Sequence, residues 1–144
     1  MAGYSGTPLP KKLGIKDGHR VAWLGDRGRP AIPGDLPEGV AASRALRGQA
    51  PLDLIAFFSR MRSELEARLP ALKDRLQESG GLWLCWPKKA SGVATDLSDG
   101  LVRELGLGAG LVDNKTCAID ETWSGLRFVY RLKDRKGARP TARK

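Results

Sequence analysis

Three runs of almost continuous apolar residues stand out along this chain, at 19–24, 53–58 and 82–86. Each run has the length of a β-strand, and continuous rather than alternating hydrophobicity is typical of strands covered on both faces of a sheet. The runs therefore predict three central strands that lie parallel to one another. Residues 25–39, with four glycines and three prolines, predict a loop, whereas the pattern at 40–46 fits either a short strand or a helical turn.

The segment between the second and third runs has the periodicity of a helix. Four leucines recur there at spacings of 4, 3 and 4, which places them on one helix face: Leu65, Leu69, Leu72 and Leu76. We expect a helical region over 59–79, with a kink or two consecutive helices at Pro70, because proline removes a hydrogen bond. Gly80 and Gly81 predict the end of the helix. Strand, helix and strand in this order predict the right-handed parallel crossover unit.

The last part of the chain predicts one more helix and an antiparallel hairpin. Thr95 and Asp96 have side chains that cap helix N-termini, so we expect a helix to begin beside them. Residues 115–121 and 126–132 have the pattern of two strands. We expect a tight turn across 122–125 to join them.

These elements predict an α/β fold: a single three-layer Rossmann-like domain whose mixed sheet is parallel in the centre and ends in a C-terminal antiparallel hairpin. The chain of 144 residues is long enough for one such domain. We expect the domain to span 19–133, after an N-terminal arm at 1–18 and before a basic, disordered tail at 134–144. Leu13 and Ile15 are expected to dock the end of the arm on the core.

The net charge of +9 is concentrated at the C-terminus. Residues 131–144 hold seven basic residues and one acidic residue, and so carry +6 of the total. A basic tail attracts nucleic acid and other polyanions through a nonspecific, salt-dependent force. No aromatic residue is interleaved there to stack on bases. We therefore favour a solubilising tail and keep weak nonspecific contact with nucleic acid as the alternative.

Two cysteines and one histidine limit the chemistry that the chain can support. A zinc site needs three or four Cys and His ligands at close spacing, so no metal site is predicted. Cys85 and Cys117 belong to no C-x-x-C motif and predict buried, reduced thiols. His19 opens a strand, and we expect a structural role for it rather than a catalytic one. With neither a run long enough to span a bilayer nor an apolar leader, the chain is predicted to be cytoplasmic and without membrane contact.

The middle of the chain, DLIAFFSRMRSELEARLPALKDRLQESGGLWLCWPK, resembles the later half of class I methyltransferases. An apolar strand, a leucine-rich helix, a Gly-Gly turn and a second strand follow in the same order, and the resemblance implies a Rossmann-like fold. Those enzymes place a glycine-rich loop after their first strand to approach the cofactor. Here that strand is followed by GDRGRP at 25–30, which lacks the glycine spacing and an obvious following helix. This departure argues against S-adenosylmethionine chemistry, and no cofactor is predicted.

A second resemblance covers nearly the whole chain except the tail. It rests on four strings: the arm Tyr4–Lys16, the strand and loop Leu82–Lys89, and the later pieces Gly110–Lys115 and Cys117–Phe128. Together they resemble the bacterial family of uncharacterised proteins called domain of unknown function 3052. The resemblance implies a small cytoplasmic bacterial protein and no particular activity.

The loop after the third predicted strand is the main candidate for a binding site. It supplies positive charge and hydroxyl donors from Lys88, Lys89, Ser91 and Thr95. The loop leads toward a predicted helix N-terminus, whose free N–H groups and dipole favour anions. Ligands of open α/β sheets also bind at this edge. We predict an anion or nucleotide site here; the alternative is a plain solvated loop, since nearby aspartates already satisfy the dipole.

A secondary cluster of polar and aromatic side chains surrounds the predicted hairpin: Asp113, Lys115, Asp120 and Trp123. Asp120 and Glu121 are adjacent in a predicted strand, so their side chains point to opposite faces and form no carboxylate pair. Trp123 is expected to pack at the hairpin tip, with Ser124 and Gly125 making the turn. The alternative is that Trp123 forms a stacking surface for a ligand.

No catalytic motif is complete, so no catalytic residue is assigned. The pattern favours a non-enzymatic binding or regulatory protein whose partner is an anionic small molecule. The alternative is a degenerate methyltransferase-like enzyme, a transferase that acts on a phosphorylated or acidic substrate.

Overall fold

The computed structural model describes residues 7–135 and contains one six-stranded sheet. In chain order the strands are β1 (Arg20–Gly25), β2 (Ala41–Ser43), β3 (Leu52–Phe58), β4 (Leu76–Pro87), β5 (Leu111–Ala118) and β6 (Trp123–Tyr130). Across the sheet the order is β2-β1-β3-β4-β6-β5. The first four strands in that order are parallel, and β6 runs antiparallel to both β4 and β5. The predicted parallel centre and C-terminal hairpin are confirmed, and 40–46 contains a short strand.

The helices and the long loop after β1 form the two outer layers. The described residues contain α1 (Leu9–Leu13), α2 (Arg62–Arg75) and α3 (Asp99–Gly108), with single 3-10 turns at Lys89–Ser91 and Leu132–Asp134. Helices α2 and α3 cover one face of the sheet. The end of the arm and the β1–β2 loop cover the other face. None of the helices in this part of the chain has the length and hydrophobicity needed to cross a bilayer.

Strand β4 contributes to both cores because its side chains alternate between the two faces. Leu84 and Trp86 pack toward α2 and α3, whereas Trp83 and Cys85 pack toward the arm. All four are buried, as the continuous apolar run predicted. On the arm side Leu13 is also fully buried, which confirms that it docks the arm on the sheet.

Helix α2 is shorter than its leucine pattern predicted, and it remains one helix through Pro70. Burying Leu65, Leu69 and Leu72 contributes about 1.5–3 kcal/mol each. Together, the three buried leucines contribute more than the roughly 3 kcal/mol that a proline costs inside a helix. The helix therefore continues past Pro70, and the expected pair of helices is wrong.

Gly80 and Gly81 lie within β4 and do not stop a helix. A Cβ on Gly80 would lie 2.6 Å from the carbonyl oxygen of Asp53. A Cβ on Gly81 would overlap the guanidinium of Arg127. Gly80 needs glycine because a backbone carbonyl approaches it closely, whereas the neighbour of Gly81 is the end of a flexible side chain. Both glycines lie inside a strand, so the prediction of a helix end here is wrong.

The hairpin turn lies earlier in the chain than predicted, at 119–122 between β5 and β6. Asp120 makes this turn, because its Oδ1 accepts the backbone N–H groups of Thr122 and Trp123 at 2.8 and 2.7 Å. Ser124 and Gly125 are strand residues of β6, so their predicted role in the turn is wrong. An aspartate side chain that accepts the backbone N–H two residues ahead forms an Asx turn, so this turn needs no glycine.

The predicted tail at 134–144 lies outside the described residues except for its first two positions, and so does the start of the arm at 1–6.

Candidate functional site

The carboxyl ends of the parallel strands meet at one edge of the sheet. From β1 the chain moves to β2 on one side, and then to β3 on the other side of β1. The pair β1 and β3 is therefore a topological switch point, where open α/β sheets bind their ligands. Three segments surround it: the β1 loop at 26–30, the segment 59–64 that leads into the first turn of α2, and the β4 loop at 88–98.

The β1 loop turns sharply over the end of β3. Gly25 has φ +110°, and a Cβ there would overlap the carbonyl oxygen of Phe58. The Asp26 N–H donates to the same carbonyl at 2.7 Å. Only glycine suits this position, because other residues rarely adopt such a φ and none leaves room for the Phe58 carbonyl.

Two indole N–H groups hold the rest of the β1 loop. Trp23 Nε1 donates to the Pro30 carbonyl at 2.7 Å, and Trp123 Nε1 donates to the Gly28 carbonyl at 3.2 Å. Both indole rings pack on the ring of Phe58, with centroids 5.1 and 5.2 Å away. Trp123 therefore anchors the β1 loop from the hairpin and is itself buried.

A cleft of about 740 Å³ opens at the switch point. We call it the carboxyl cleft; its lining residues are Asp26, Arg60, Met61, Glu64, Ala94, Thr95 and Asp96. Its size is typical of small-molecule sites. Three carboxylates and one guanidinium line it, so its charge favours a positively charged group. The sequence did not predict this cleft, because its carboxylates come from three separate segments, two loops and the first turn of α2.

Each carboxylate of the carboxyl cleft is positioned by a donor from the protein. Asp26 Oδ2 lies 2.7 Å from Arg60 Nε, and only 12% of the Asp26 side chain is exposed. Glu64 Oε1 accepts the Ser59 hydroxyl at 2.8 Å. Asp96 Oδ1 accepts the first N–H of α2 at 2.7 Å. Since each group retains lone pairs, all three can still receive hydrogen bonds from a ligand.

Helix α3 begins later than predicted, with Ser98 as its N-cap: Ser98 Oγ accepts the Leu101 N–H at 3.2 Å. Thr95 and Asp96, which were expected to cap this helix, contact the segment before α2 instead. Thr95 Oγ1 donates to the Arg60 carbonyl at 2.7 Å. The capping prediction is wrong because the β4 loop extends further before the first helical turn.

The structure brings together only two of the four residues predicted for the anion site. Lys89 and Thr95 line one cavity of about 610 Å³ that reaches the N-terminus of α3. Ser91 Oγ donates to the Lys88 carbonyl at 2.6 Å and so shapes the loop. Lys88 is half-buried, and its N–H donates to the Thr122 carbonyl at 2.7 Å. Anion binding at this loop stays a prediction.

The residues of the secondary cluster are dispersed. Asp113 pairs with Arg103 of α3 at 3.1 Å. Lys115 Nζ donates to a carbonyl of α1 at 2.8 Å. Asp120 makes the hairpin turn, where Glu121 also lies, and Trp123 anchors the β1 loop. The contacts of these residues connect elements of the fold.

Cys85 and Cys117 are buried free thiols on the same face of the sheet. Each lies opposite Gly125 on neighbouring strands. Two strand spacings, roughly 9.5 Å, separate their Cα atoms, which exceeds the separation of about 4.4–6.8 Å in disulfides.

Burial raises the pKa of the Cys85 thiol, and neighbouring negative charge raises it further. Burial also raises the pKa of Cys117, against the opposing effect of nearby lysines. Neither thiol has the lowered pKa of a reactive cysteine.

His19 lies at the opposite edge of the sheet from the carboxyl cleft, directly before β1. Its Nδ1 accepts the Lys16 N–H at 3.1 Å. Within residues 7–135, no group of three or more His, Cys, Asp or Glu side chains is arranged to hold a metal ion.

Solved structures with a similar architecture include several methyltransferases. A SAM-dependent methyltransferase from Aquifex aeolicus has a TM-score of 0.56 and 12% identity over 83% of this chain and 86% of its own. The ribosomal protein L11 methylase from Lactobacillus delbrueckii subsp. bulgaricus has a TM-score of 0.52 and 11% identity, over 85% of this chain and 75% of its own. Magnesium protoporphyrin IX methyltransferase from Synechocystis PCC 6803, with bound SAH, has a TM-score of 0.53 and 9% identity, over 85% of this chain and 78% of its own.

The chain has a Rossmann-like α/β fold similar to that of these methyltransferases. At 9–12% identity the likeness is one of fold. No family model and no curated protein matches the sequence.

Proposed function

We propose that the protein is a degenerate methyltransferase-like transferase that acts on a phosphorylated or acidic substrate. The observation that carries the proposal is the carboxyl cleft, which lies at the switch point and is lined by three carboxylates. The fold shared with methyltransferases supports the same assignment.

The carboxyl cleft fits the charge of S-adenosylmethionine, a donor that carries a positive sulfonium and supplies an electrophilic methyl group when bound. Asp26, Glu64 and Asp96 would hold such a donor through attraction and hydrogen bonds to its cationic groups. Near a protein surface, two opposite unit charges about 4 Å apart attract each other by about 4 kcal/mol. Met61, a largely exposed side chain at the same cleft, offers apolar surface beside these carboxylates.

The β1 loop differs from the glycine-rich loop of class I methyltransferases, and for this reason we describe the protein as degenerate. Its backbone is held against β3 and by the two indoles, with Arg27 and Arg29 in place of further glycines. In this protein, therefore, side-chain carboxylates would hold the methyl donor in place of a glycine-rich backbone loop.

The same edge of the sheet carries cations that suit a phosphorylated or acidic acceptor. Lys88 and Lys89 lie on the β4 side of the carboxyl cleft, and Arg27, Arg29 and Arg44 follow β1 and β2 on its other side. Group transfer requires donor and acceptor in one site. The common edge supports a transferase because it places both kinds of charge next to the switch point.

A non-enzymatic binding protein is the second candidate, and the hydrogen bonds that the cleft carboxylates make within the protein favour it. Asp26, Glu64 and Asp96 already accept hydrogen bonds from protein donors. Because each of these three carboxylates already has a protein partner, none of them is available as a dedicated base.

Titration calorimetry on the intact protein tests the proposal. We expect S-adenosylmethionine to bind, and to bind more tightly than the uncharged thioether S-adenosylhomocysteine, because the cleft attracts the sulfonium. The Glu64→Gln variant keeps the size of the side chain but removes its charge. It should lower the affinity for S-adenosylmethionine about three- to tenfold, which corresponds to roughly 0.7–1.4 kcal/mol. The matched control is Asp74→Asn on the exposed side of α2, which should leave the affinity unchanged.

Two outcomes would contradict the transferase proposal. One is the absence of binding by both S-adenosyl compounds while a phosphate-bearing molecule binds, which would favour the binding protein. The other is an equal loss of affinity in Glu64→Gln and Asp74→Asn, which would place the donor outside the carboxyl cleft.

A further inference from the structure

We infer that a second cavity at this edge, the arginine pocket, recognises a phosphomonoester group on a small molecule. The pocket has a volume of about 330 Å³ and is lined by Arg27, Arg29 and Arg44 together with Trp23 and residues 30–32. Among the described residues, none of those that line it carries a carboxylate. The inference rests on the proposed function in assigning this molecule as the acceptor, whereas phosphate recognition itself follows from the pocket alone.

The charge of the arginine pocket is uncompensated. Within residues 7–135, none of its three arginines forms an ion pair with a carboxylate; the arginines that do so are Arg60, Arg62 and Arg103. Three neighbouring guanidinium groups without a counter-charge attract an anion strongly. Their planar fork of donors matches phosphate oxygens in a bidentate arrangement, which a lysine does not provide.

Two of these arginines are held on a short turn of fixed geometry. Asp26 Oδ1 accepts the Gly28 N–H at 2.7 Å, which fixes the backbone on either side of Arg27. The Arg29 guanidinium donates to the carbonyls of Gly25 and Asp26 at 2.8 and 3.2 Å through one of its nitrogens. Its remaining N–H groups are left for a ligand, and their direction is set before binding.

The third arginine is held in a similar way at the end of the edge strand β2. Ser43 Oγ accepts the Ala45 N–H at 3.1 Å, so the backbone on both sides of Arg44 is fixed. A site whose backbone is ordered in advance loses less conformational entropy on binding. The turns after β1 and β2 thus present cations from two strands to one cavity.

The apolar wall of the arginine pocket indicates what accompanies the phosphate. Trp23 is buried and its N–H is already used by the Pro30 carbonyl. Ala31 and Ile32 continue this wall. The volume is at the lower end of the range for small-molecule sites. The pocket therefore suits one phosphate and a compact organic group beside it.

The test uses inorganic phosphate and adenosine 5′-monophosphate as probes, with adenosine as the uncharged control, in calorimetric titrations of the intact protein. We expect both phosphate compounds to bind and adenosine to bind at least tenfold more weakly than the monophosphate. The Arg27→Gln/Arg44→Gln variant should lower the affinity for the monophosphate at least tenfold. Arg29 is left intact because its guanidinium also supports the β1 loop. Unchanged melting temperatures should confirm that the variant is folded, since both replaced side chains are exposed.

The matched control is Lys16→Gln/Arg20→Gln, which removes the same charge from two exposed side chains at the opposite edge of the sheet and leaves the basic C-terminus unchanged. We expect it to alter the affinity less than twofold. Equal losses in the two double variants, or a loss in the control variant alone, would overturn the arginine pocket. So would the failure of both phosphate compounds to bind the unmodified protein.

These titrations contain no methyl donor, so they separate the pocket from the transferase proposal. Loss of monophosphate affinity in the arginine variant supports the pocket even when S-adenosylmethionine does not bind. Conversely, binding of S-adenosylmethionine with an unchanged monophosphate affinity in the arginine variant overturns the pocket and leaves the transferase proposal intact.

Discussion

Replacing Trp83 with alanine should lower the free energy of unfolding by about 3–5 kcal/mol, the usual cost of removing a buried aromatic side chain. Trp83 is 0% exposed in the central strand β4. Its Nε1 donates to the Leu13 carbonyl at 3.0 Å, which connects the sheet to the end of the arm. The substitution therefore removes a large part of one core and the hydrogen bond that holds α1 on it. Chemical denaturation monitored by circular dichroism measures the loss.

Two further variants separate packing from hydrogen bonding at this position. Trp83→Phe keeps most of the apolar volume but leaves the Leu13 carbonyl without its donor, which should cost about 1–3 kcal/mol. Leu132→Ala, at a side chain that is 69% exposed, should stay within about 0.5 kcal/mol of the unmodified protein. A loss below about 1 kcal/mol for Trp83→Ala would show that the strand is not central.

Replacing Gly25 with alanine should destabilise the protein by about 3 kcal/mol or more and weaken binding at both proposed sites. A non-glycine residue with positive φ costs roughly 1–3 kcal/mol. In addition, the new Cβ would overlap the Phe58 carbonyl. Because this carbonyl also accepts the Asp26 N–H, relieving the overlap would move the loop that carries Asp26, Arg27 and Arg29. Denaturation and the titrations described above measure the two effects.

Gly28→Ala is the control for this substitution within the same loop. Gly28 does not have a positive φ, and the nearest atom to a Cβ there is a side-chain oxygen of Asp26 at 3.1 Å. We expect a change in the free energy of unfolding below about 1 kcal/mol. Similar losses in Gly25→Ala and Gly28→Ala would contradict a specific requirement for glycine at the end of β1.

The apolar runs predicted the strands well because continuous hydrophobicity reports burial on both faces of a sheet. Strand β4 is the example: all of Leu82–Trp86 is buried. The adjoining Gly80-Gly81 was misinterpreted for a physical reason. Glycine is favoured both where a helix ends and where a neighbouring group approaches closely, and the groups that approach here, Asp53 and Arg127, are distant in the sequence.

The candidate site was only partly predictable for the same reason. The carboxyl edge follows from strand order, so the loop from Lys88 to Thr95 was correctly located at it. The carboxylates of the cleft come from three segments, Asp26, Glu64 and Asp96, which share no local motif. The arginine pocket likewise combines the turn after β1 with Arg44 after β2. Such groupings depend on the order of the strands in the sheet, which no single motif encodes.

Chemical-shift mapping of the ¹⁵N-labelled protein with S-adenosylmethionine tests the central claim most directly, because it locates the donor. The proposed function predicts that the amide shifts are largest for Asp26, for residues 60–64 at the junction with α2, and for 94–96. The competing location is the cavity of about 650 Å³ between α2 and α3, which is lined by Leu69, Lys73, Leu105 and Tyr130 among others. Shifts confined to that cavity, or no shifts at all, would contradict a donor site at the carboxyl edge.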